Sequence, residues 1–97
     1  MKVVSNASPI IFLGKLGAVD LLWEAFSLVH IPPAVRRELG EMHIPDKIKI
    51  TPVSLPGQHF VEGARGRLHS GELEAIVLSQ EIDANLVLLD AFAKKHH

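Results

Sequence analysis

The chain has 97 residues, 47% of them hydrophobic, which fits one domain with a packed core and excludes a disordered segment. Its formal net charge of −1 gives no overall bias toward nucleic acid, so a contact with RNA or DNA must come from a local patch of charge. The absence of cysteine excludes disulfides, thiolate metal sites and cysteine nucleophiles. Because no apolar run reaches the length of a membrane helix and no signal peptide opens the chain, we expect a cytoplasmic protein without a membrane partner.

Short apolar runs alternate with helical patterns along the chain, which is typical of an α/β fold with a parallel sheet. Ser8 is a suitable N-cap and Pro9 a suitable first residue for a helix. The patterns of the first half predict a strand at 2–5, helices at 9–15 and 18–25, a strand at 27–31 and a helix at 33–42.

The second half begins irregularly and then becomes strongly patterned. Its patterns predict a short edge strand within 48–53, a weak helix at 60–67, a strong helix at 72–83 and a strand at 85–89. The last of these runs is almost wholly apolar, as expected for a central parallel strand buried on both faces. Asp90 directly follows it.

Glu38 is the most informative acidic residue. Together with Val35, Leu39 and Met42 it has the spacing of one buried helix face. A carboxylate within such a face is costly unless it is paired or binds a cation, which makes Glu38 a candidate ligand. The alternative is that Glu38 lies at the edge of the face or pairs with an arginine.

Asn6 and Asp90 follow predicted strands, and ligands of open parallel sheets bind beyond the carboxyl ends of the strands. An Asn amide oxygen can coordinate a cation, and an Asp carboxylate can do so with a charge. The alternatives are a turn residue at Asn6 and a helix N-cap at Asp90.

Glu72 and Glu74 lie in the first turn of the strong helix, where the helix dipole alone favours acids. Because each residue turns the helix by about 100°, the two side chains are about 200° apart, and at most one of them can bind a given metal ion. Hard oxygen ligands drawn from these distant segments suit Mg²⁺ or Mn²⁺ and the phosphates that such ions organise.

Four segments, taken together and in this order, resemble the PIN-domain family. They are V-V-S-N-A-S-P-I-I at 3–11, I-P-P-A-V at 31–35 with E-L at 38–39, G-E-L-E-A-I at 71–76, and L-L-D at 88–90. The first is similar to the S-(N/D)-(A/T)-S-P-L-I opening of a subgroup of VapC-like toxins and nucleases. The resemblance covers nearly the whole chain.

The resemblance implies a three-layer α/β/α sandwich around a parallel sheet, forming a single domain over 1–97 that lacks the usual C-terminal elements. It also implies a metal-dependent ribonuclease that hydrolyses RNA phosphodiesters with Mg²⁺ or Mn²⁺. Carried over by position, the metal ligands are Asn6, Glu38, Glu72 or Glu74, and Asp90. Of these, Glu38, Glu72 and Asp90 are the expected catalytic residues.

The same resemblance implies partners. VapC-type toxins pair with a small antitoxin protein, and we expect a homodimer as well, because Leu13, Leu16, Val19 and Leu22 exceed what a small core needs. We expect Ser8, Arg36 and Arg37 to contact the RNA substrate. A wider basic rim would add Arg65, Arg67, Lys94 and Lys95, whose alternative role is ordinary solubilising charge.

Two departures from the family pattern support a second interpretation. Asn6 stands where most active PIN nucleases have Asp, and the sequence ends at His97, where such proteins usually continue with further helices and strands. The second interpretation is therefore a degenerate, non-catalytic PIN-like interaction module or an obligate dimer.

The histidines show no metal-binding spacing. His30 falls within a predicted strand and points opposite to Val29 and Ile31. We therefore expect it to be a structural residue with a hydrogen-bond partner.

Overall fold

A computed structural model of the chain describes residues 1–64 and 70–89. Its elements in chain order are β1 (Val3–Ser5), α1 (Ala7–Lys15), α2 (Asp20–Phe26), β2 (Val29–Ile31), α3 (Pro33–Leu39), β3 (Ile48–Ile50), α4 (Leu55–Ala64), α5 (Ser70–Glu81) and β4 (Leu86–Leu88). This alternation confirms the predicted α/β class. None of the helices within these residues is long and apolar enough to span a membrane.

Across the described residues the strands form one parallel sheet with the order β3-β2-β1-β4. The central strand β1 pairs with β2, where Val3 lies opposite Val29, and with β4, where Val4 lies opposite Val87. Because all strands of a parallel sheet end at the same edge, the residues that follow β1, β2 and β4 come together there. Asn6 lies at this edge.

A hydrophobic core covers each face of the sheet. On one face Val3, Val29 and Ile31 pack against α1, α2 and α3. On the other face Val4 packs with Leu78 and the other apolar side chains of α5, and with α4. Val3 and Val4 belong to different cores because successive side chains of a strand point to opposite faces. The result is the three-layer α/β/α sandwich that the sequence predicts.

The helix α4 begins at Leu55, five positions before the predicted start at 60. Ser54 caps it, since its hydroxyl oxygen accepts a hydrogen bond from the Gly57 N–H at 3.1 Å. The carbonyl of Ser54 also accepts from the Gln58 N–H at 2.8 Å. A Ser N-cap in front of a Leu-Pro pair is thus the start signal, and the apolar pattern alone placed the start too late.

The prediction that the last strand is central and buried on both faces is wrong for the described residues. There β4 lies at an edge of the sheet, and its side chains are exposed or half-buried. It is anchored on β1, and the Lys2 carbonyl accepts from the Asn85 N–H at 2.8 Å. Local hydrophobicity does not determine a strand's place in a sheet, because that place depends on the topology of the whole chain.

Candidate functional site

Asn6 lies at the junction of β1, β4 and α1. Its backbone N–H donates to the carbonyl of Leu88 at 2.8 Å, and its Oδ1 accepts from the Ala7 N–H at 2.9 Å. Asn6 is thus the N-cap of α1, and the prediction of Ser8 as the cap and Pro9 as the first helical residue is wrong. The side chain is only 5% exposed, and its amide oxygen keeps a second lone pair that can bind a cation.

Glu38 projects from α3, and its carboxylate lies directly against Gly71 at the start of α5. A Cβ at Gly71 would overlap this carboxylate. Val35 and Leu39 are buried, but Glu38 is exposed, so the prediction that it lies within the buried face is wrong. Because a glycine leaves room for it at the boundary of α3 and α5, the carboxylate stays in contact with solvent and avoids the cost of burial.

Glu74 faces the start of α3. Its Oε1 accepts a hydrogen bond from the Ala34 N–H at 3.2 Å, and its Oε2 lies 4.0 Å from Nη2 of Arg37. The N-cap position of α3 is occupied by Pro32, whose side chain makes no capping bond. Glu74 supplies the missing acceptor from another helix, so its carboxylate has a structural task.

Glu72 is half-buried in the first turn of α5. Since it lies about 200° from Glu74 around the helix axis, it faces away from the start of α3. Glu72 also directly follows Gly71, against which the Glu38 carboxylate lies. That Glu72 and not Glu74 is the metal ligand stays a prediction. It is favoured because the Glu74 carboxylate already accepts a hydrogen bond at the start of α3.

The donor set is of the right chemical kind for a hard cation, because an amide oxygen and carboxylates are the ligands that Mg²⁺ and Mn²⁺ prefer. Within residues 1–64 and 70–89, no three Asp, Glu, His or Cys side chains form a metal-binding group. Asn6, Glu38 and Glu72 therefore stay predicted ligands. Asp90, the remaining predicted ligand, lies outside the described residues.

The residues predicted to contact RNA differ in how they are engaged. Arg36 donates from Nη1 to the Gly40 carbonyl at 2.8 Å, which satisfies the end of its own helix α3. The side chain of Arg37 is 71% exposed and free to reach a ligand. Ser8 is half-buried in the first turn of α1. Arg65, Arg67, Lys94 and Lys95 lie outside the described residues.

A cavity of about 310 Å³ opens between α3, α4 and α5. Its wall includes Arg37, Gln58, Val61, Glu62, Ser70 and Glu74. The cavity adjoins the acids, because Arg37 precedes Glu38 and Ser70 precedes Gly71. Sequence reasoning missed it, since three segments far apart in the chain form its wall and none of them carries a local motif.

Glu81 and Ser54 join the end of α5 to the start of α4. The Ser54 N–H donates to Oε1 of Glu81 at 2.8 Å, and the Ser54 hydroxyl donates to Oε2. The bond from the hydroxyl has the larger effect, and together the two bonds hold the pKa of Glu81 below its usual value. Gly57 packs so closely that a Cβ there would lie 2.5 Å from Glu81 Oε2.

His30 has the structural role that the sequence predicts. Its Nδ1 lies 2.9 Å from the hydroxyl of Thr51, which joins β2 to the segment after β3. Burial, followed by the charges of Lys49 and Lys2, lowers the pKa of His30. The neutral imidazole is thus the form that fits the folded protein.

The sequence was then compared with known proteins. A family model described as a PIN domain matches residues 2–96. Searches among curated proteins and among solved structures gave no match. PIN domains are in general nucleases and typically use divalent metal ions. With its parallel sheet, its three layers and a family match over nearly all of its length, this chain belongs to the PIN-domain family.

Proposed function

We propose that this protein is a metal-dependent endoribonuclease that resembles VapC-type toxins and hydrolyses RNA phosphodiesters at the carboxyl edge of its sheet. The observation that carries the proposal is the Glu38 carboxylate, which lies exposed against Gly71, the residue before Glu72. This contact supports the proposal, because it brings the Glu38 carboxylate to the start of the helix that carries Glu72. Asn6 is fixed at the same edge of the sheet by its hydrogen bond to Leu88.

Asn6, Glu38, Glu72 and Asp90 would hold Mg²⁺ or Mn²⁺, with Glu38, Glu72 and Asp90 as the charged ligands. When bound, such an ion lowers the pKa of a coordinated water and neutralises charge at the phosphodiester. Asn6 contributes an oxygen without a charge, which lowers the affinity for the cation relative to Asp at this position. The capping bond to Ala7 holds that oxygen in a fixed orientation.

Arg37 and Ser8 are the proposed RNA contacts. The exposed guanidinium of Arg37 is a suitable partner for a phosphate, since it can donate two parallel hydrogen bonds. Its ion pair with Glu74 is long at 4.0 Å, so little is lost when the guanidinium turns to the RNA. The guanidinium of Arg36 already donates to the Gly40 carbonyl at the end of α3. We therefore expect Arg36 to attract RNA by its charge more than by direct contact.

Exposed apolar side chains support the proposed homodimer or antitoxin contact. On α1 and α2, Phe12, Leu16 and Leu21 are 55–63% exposed. Of the residues predicted to form this face, Leu16 is exposed, but Leu22 is buried in the core. The proposed face therefore consists of Phe12, Leu16 and Leu21.

Cleavage of single-stranded RNA in the presence of Mn²⁺ tests the proposal. We expect Glu38→Gln and Asp90→Asn to lose activity by at least on the order of 100-fold, because each removes a charged ligand. Glu41→Gln is the matched control, since Glu41 is an exposed acid just beyond α3. If Glu38→Gln and Asp90→Asn both cleave as well as the wild type, the proposed site is wrong.

The neutral side chain of Asn6 favours a second candidate, a non-catalytic interaction module with the same fold. Titration calorimetry with Mn²⁺ separates the two candidates. The nuclease proposal expects saturable binding that Glu38→Gln weakens. No measurable binding at millimolar Mn²⁺ would support the interaction module instead.

A further inference from the structure

We infer that the cavity between α3, α4 and α5 binds the guanine base of an RNA nucleotide next to the cleaved bond. The inference rests on the proposed function, because it takes single-stranded RNA as the substrate. Proteins that recognise single-stranded RNA by sequence hold unstacked bases in pockets and read their hydrogen-bonding edges. A cavity beside the acids is in the right place for such a base.

The size of the cavity suits one base. Its volume of about 310 Å³ lies at the lower end of the range of small-molecule sites, roughly 300–1,000 Å³. Pro33, Val53 and Val61 give it apolar walls, against which the flat face of a base can pack. The remaining lining residues are polar and can fix the orientation of a bound base through hydrogen bonds.

The polar groups of the cavity determine which hydrogen-bonding edge of a base can bind there. Within the described residues, the carboxylate of Glu62 on α4 has no hydrogen-bond or ion-pair partner, and it lines the cavity. Glu74 is already engaged by Ala34, and Gln58 donates its amide N–H to the Val53 carbonyl at 2.8 Å. Of the two carboxylates in the cavity wall, Glu62 is therefore the one that remains for a ligand.

A carboxylate with two acceptor oxygens matches a base that presents two neighbouring donors. Guanine has such an edge, formed by N1–H and the 2-amino group, whereas adenine presents one amino donor beside an acceptor. The described part of the cavity wall carries two carboxylates and one guanidinium, a net negative charge that favours a base over a phosphate as the occupant. Arg37 at the rim is then left to hold the phosphate of the same nucleotide.

The position of the cavity links the base to the cleavage site. Arg37 and Glu38 are neighbours on α3, and Ser70 and Gly71 are neighbours on α5. One side of the contact between these helices therefore carries the cavity, and the adjoining side carries the Glu38 carboxylate. A single RNA strand that crosses this contact places one base in the cavity and the next phosphate near the acids.

The test measures nucleotide binding to the full chain by NMR titration without metal, using GMP, IMP and AMP. IMP keeps N1–H but lacks the 2-amino group, so it isolates the second donor. We expect GMP to bind about tenfold more tightly than IMP or AMP, the scale of discrimination that a bidentate contact gives. Glu62→Gln should remove this preference, and Glu41→Gln, the matched control at an exposed acid, should retain it.

Equal affinities for the three nucleotides, a preference that survives Glu62→Gln, or no saturation with any of them would overturn the inference. Because these titrations involve no cleavage, the nuclease proposal is judged separately by Glu38→Gln. Guanine binding by a chain that fails to cleave RNA supports the cavity assignment and contradicts only the nuclease proposal. Unfolding curves of Glu62→Gln verify its fold, which an exposed side chain should leave intact.

Discussion

At the scale of single residues, Gly71 allows Glu38 to approach α5. The carboxylate occupies the space that any Cβ at this position would fill. The glycine thus leaves the space that the carboxylate of a predicted metal ligand occupies. It also explains in physical terms why a glycine precedes Glu72 at the start of a helix, where alanine has the higher helix propensity.

We expect Gly71→Ala to reduce Mn²⁺-dependent cleavage while leaving the free energy of unfolding within about 1 kcal/mol of the wild type. The new methyl group displaces a flexible carboxylate and not the backbone, so the fold tolerates it. RNA cleavage and urea unfolding measure the two effects. Gly63→Ala on α4 is the control, since among the described residues a Cβ there meets no atom of another segment within 4 Å. Equal losses of activity in both variants would contradict the role of Gly71.

His30 should titrate below its usual value of 6.5, because burial and two lysines lower its pKa. Above pH 6.5 the imidazole is neutral in both the folded and the unfolded chain, and it makes no pH-dependent contribution. As the pH falls below 6.5 the unfolded chain binds a proton first, so stability decreases. NMR titration of the imidazole gives the pKa, and unfolding of His30→Gln isolates its contribution. Protonation of His30 above pH 6.5 would contradict the prediction.

At the scale of elements, two acidic side chains of α5 support the starts of two other helices. Glu74 accepts from the start of α3, and Glu81 accepts from the residue that caps α4. The first four N–H groups of a helix have no partner within the helix, so such acceptors stabilise its start. Through these acids α5 fixes both helices that line the cavity with it.

We expect Glu81→Gln to lower the free energy of unfolding at pH 7 by about 0.5–1 kcal/mol, since it weakens two hydrogen bonds at an exposed site. The lowered pKa of Glu81 means that the wild type has this stabilisation above pH 4.5 and loses it as the pH falls through the lower folded-state value. Urea unfolding between pH 7 and pH 3 should show the loss in the wild type but not in the variant. Glu24→Gln on α2, at another exposed acid, is the control and should follow the wild type.

Variants of Glu72 and Glu74, near the start of α5, should separate the effects on stability from those on metal binding. We expect Glu74→Ala to cost about 1 kcal/mol of stability, because the Ala34 N–H loses its acceptor, and to leave Mn²⁺ affinity nearly unchanged. Glu72→Ala should do the reverse, with a loss of Mn²⁺ affinity on the order of tenfold or more. Thermal unfolding and calorimetry on both variants test this. A loss of Mn²⁺ binding in Glu74→Ala alone would reverse the assignment of the ligand.

At the scale of the whole molecule, stability depends on two separate cores, one on each face of a small sheet. Leu78 in one core and Ile10 in the other are almost completely buried. A domain of this size has a net stability of only about 5–15 kcal/mol, so each core makes an essential contribution. Loss of the core packing on either face would therefore unfold the sheet.

We expect Leu78→Ala and Ile10→Ala each to destabilise the protein by about 2–5 kcal/mol, through lost burial and the cavity left behind. Leu55→Ala provides the control, because Leu55 is 63% exposed and its truncation should change stability by about 0.5 kcal/mol or less. Urea unfolding measures all of them. If one of the two core variants behaved like Leu55→Ala, its core would not support the sheet.

Sequence reasoning predicted the fold class and the order of elements, because alternating apolar runs and helical stripes are local properties. It placed helix starts less well where a polar side chain decides them, as Asn6 does for α1 and Ser54 does for α4. It also extended α3 to 42, whereas Gly40 ends the helix with a φ of 63°.

Features that depend on contacts between distant segments could not be predicted from the sequence. Glu38 has the spacing of a buried residue, but its side chain is exposed and its carboxylate lies against Gly71 on another helix. The edge position of β4 follows from the sheet order, and the cavity follows from the packing of three helices. The sequence was sufficient to propose the candidate ligands, but it did not predict which residues surround each of them.

The sheet order has a consequence for protein synthesis, because the first strand pairs with the last strand described. Lys2 and Asn85, 83 positions apart, are joined by a hydrogen bond, and Asn6 is fixed in the sheet by Leu88. Closing so long a loop requires nearly the whole chain, so a nascent chain on the ribosome has no complete carboxyl edge until β4 has emerged. The edge of the sheet at which Asn6 lies therefore forms only after the chain has been synthesised through Leu88.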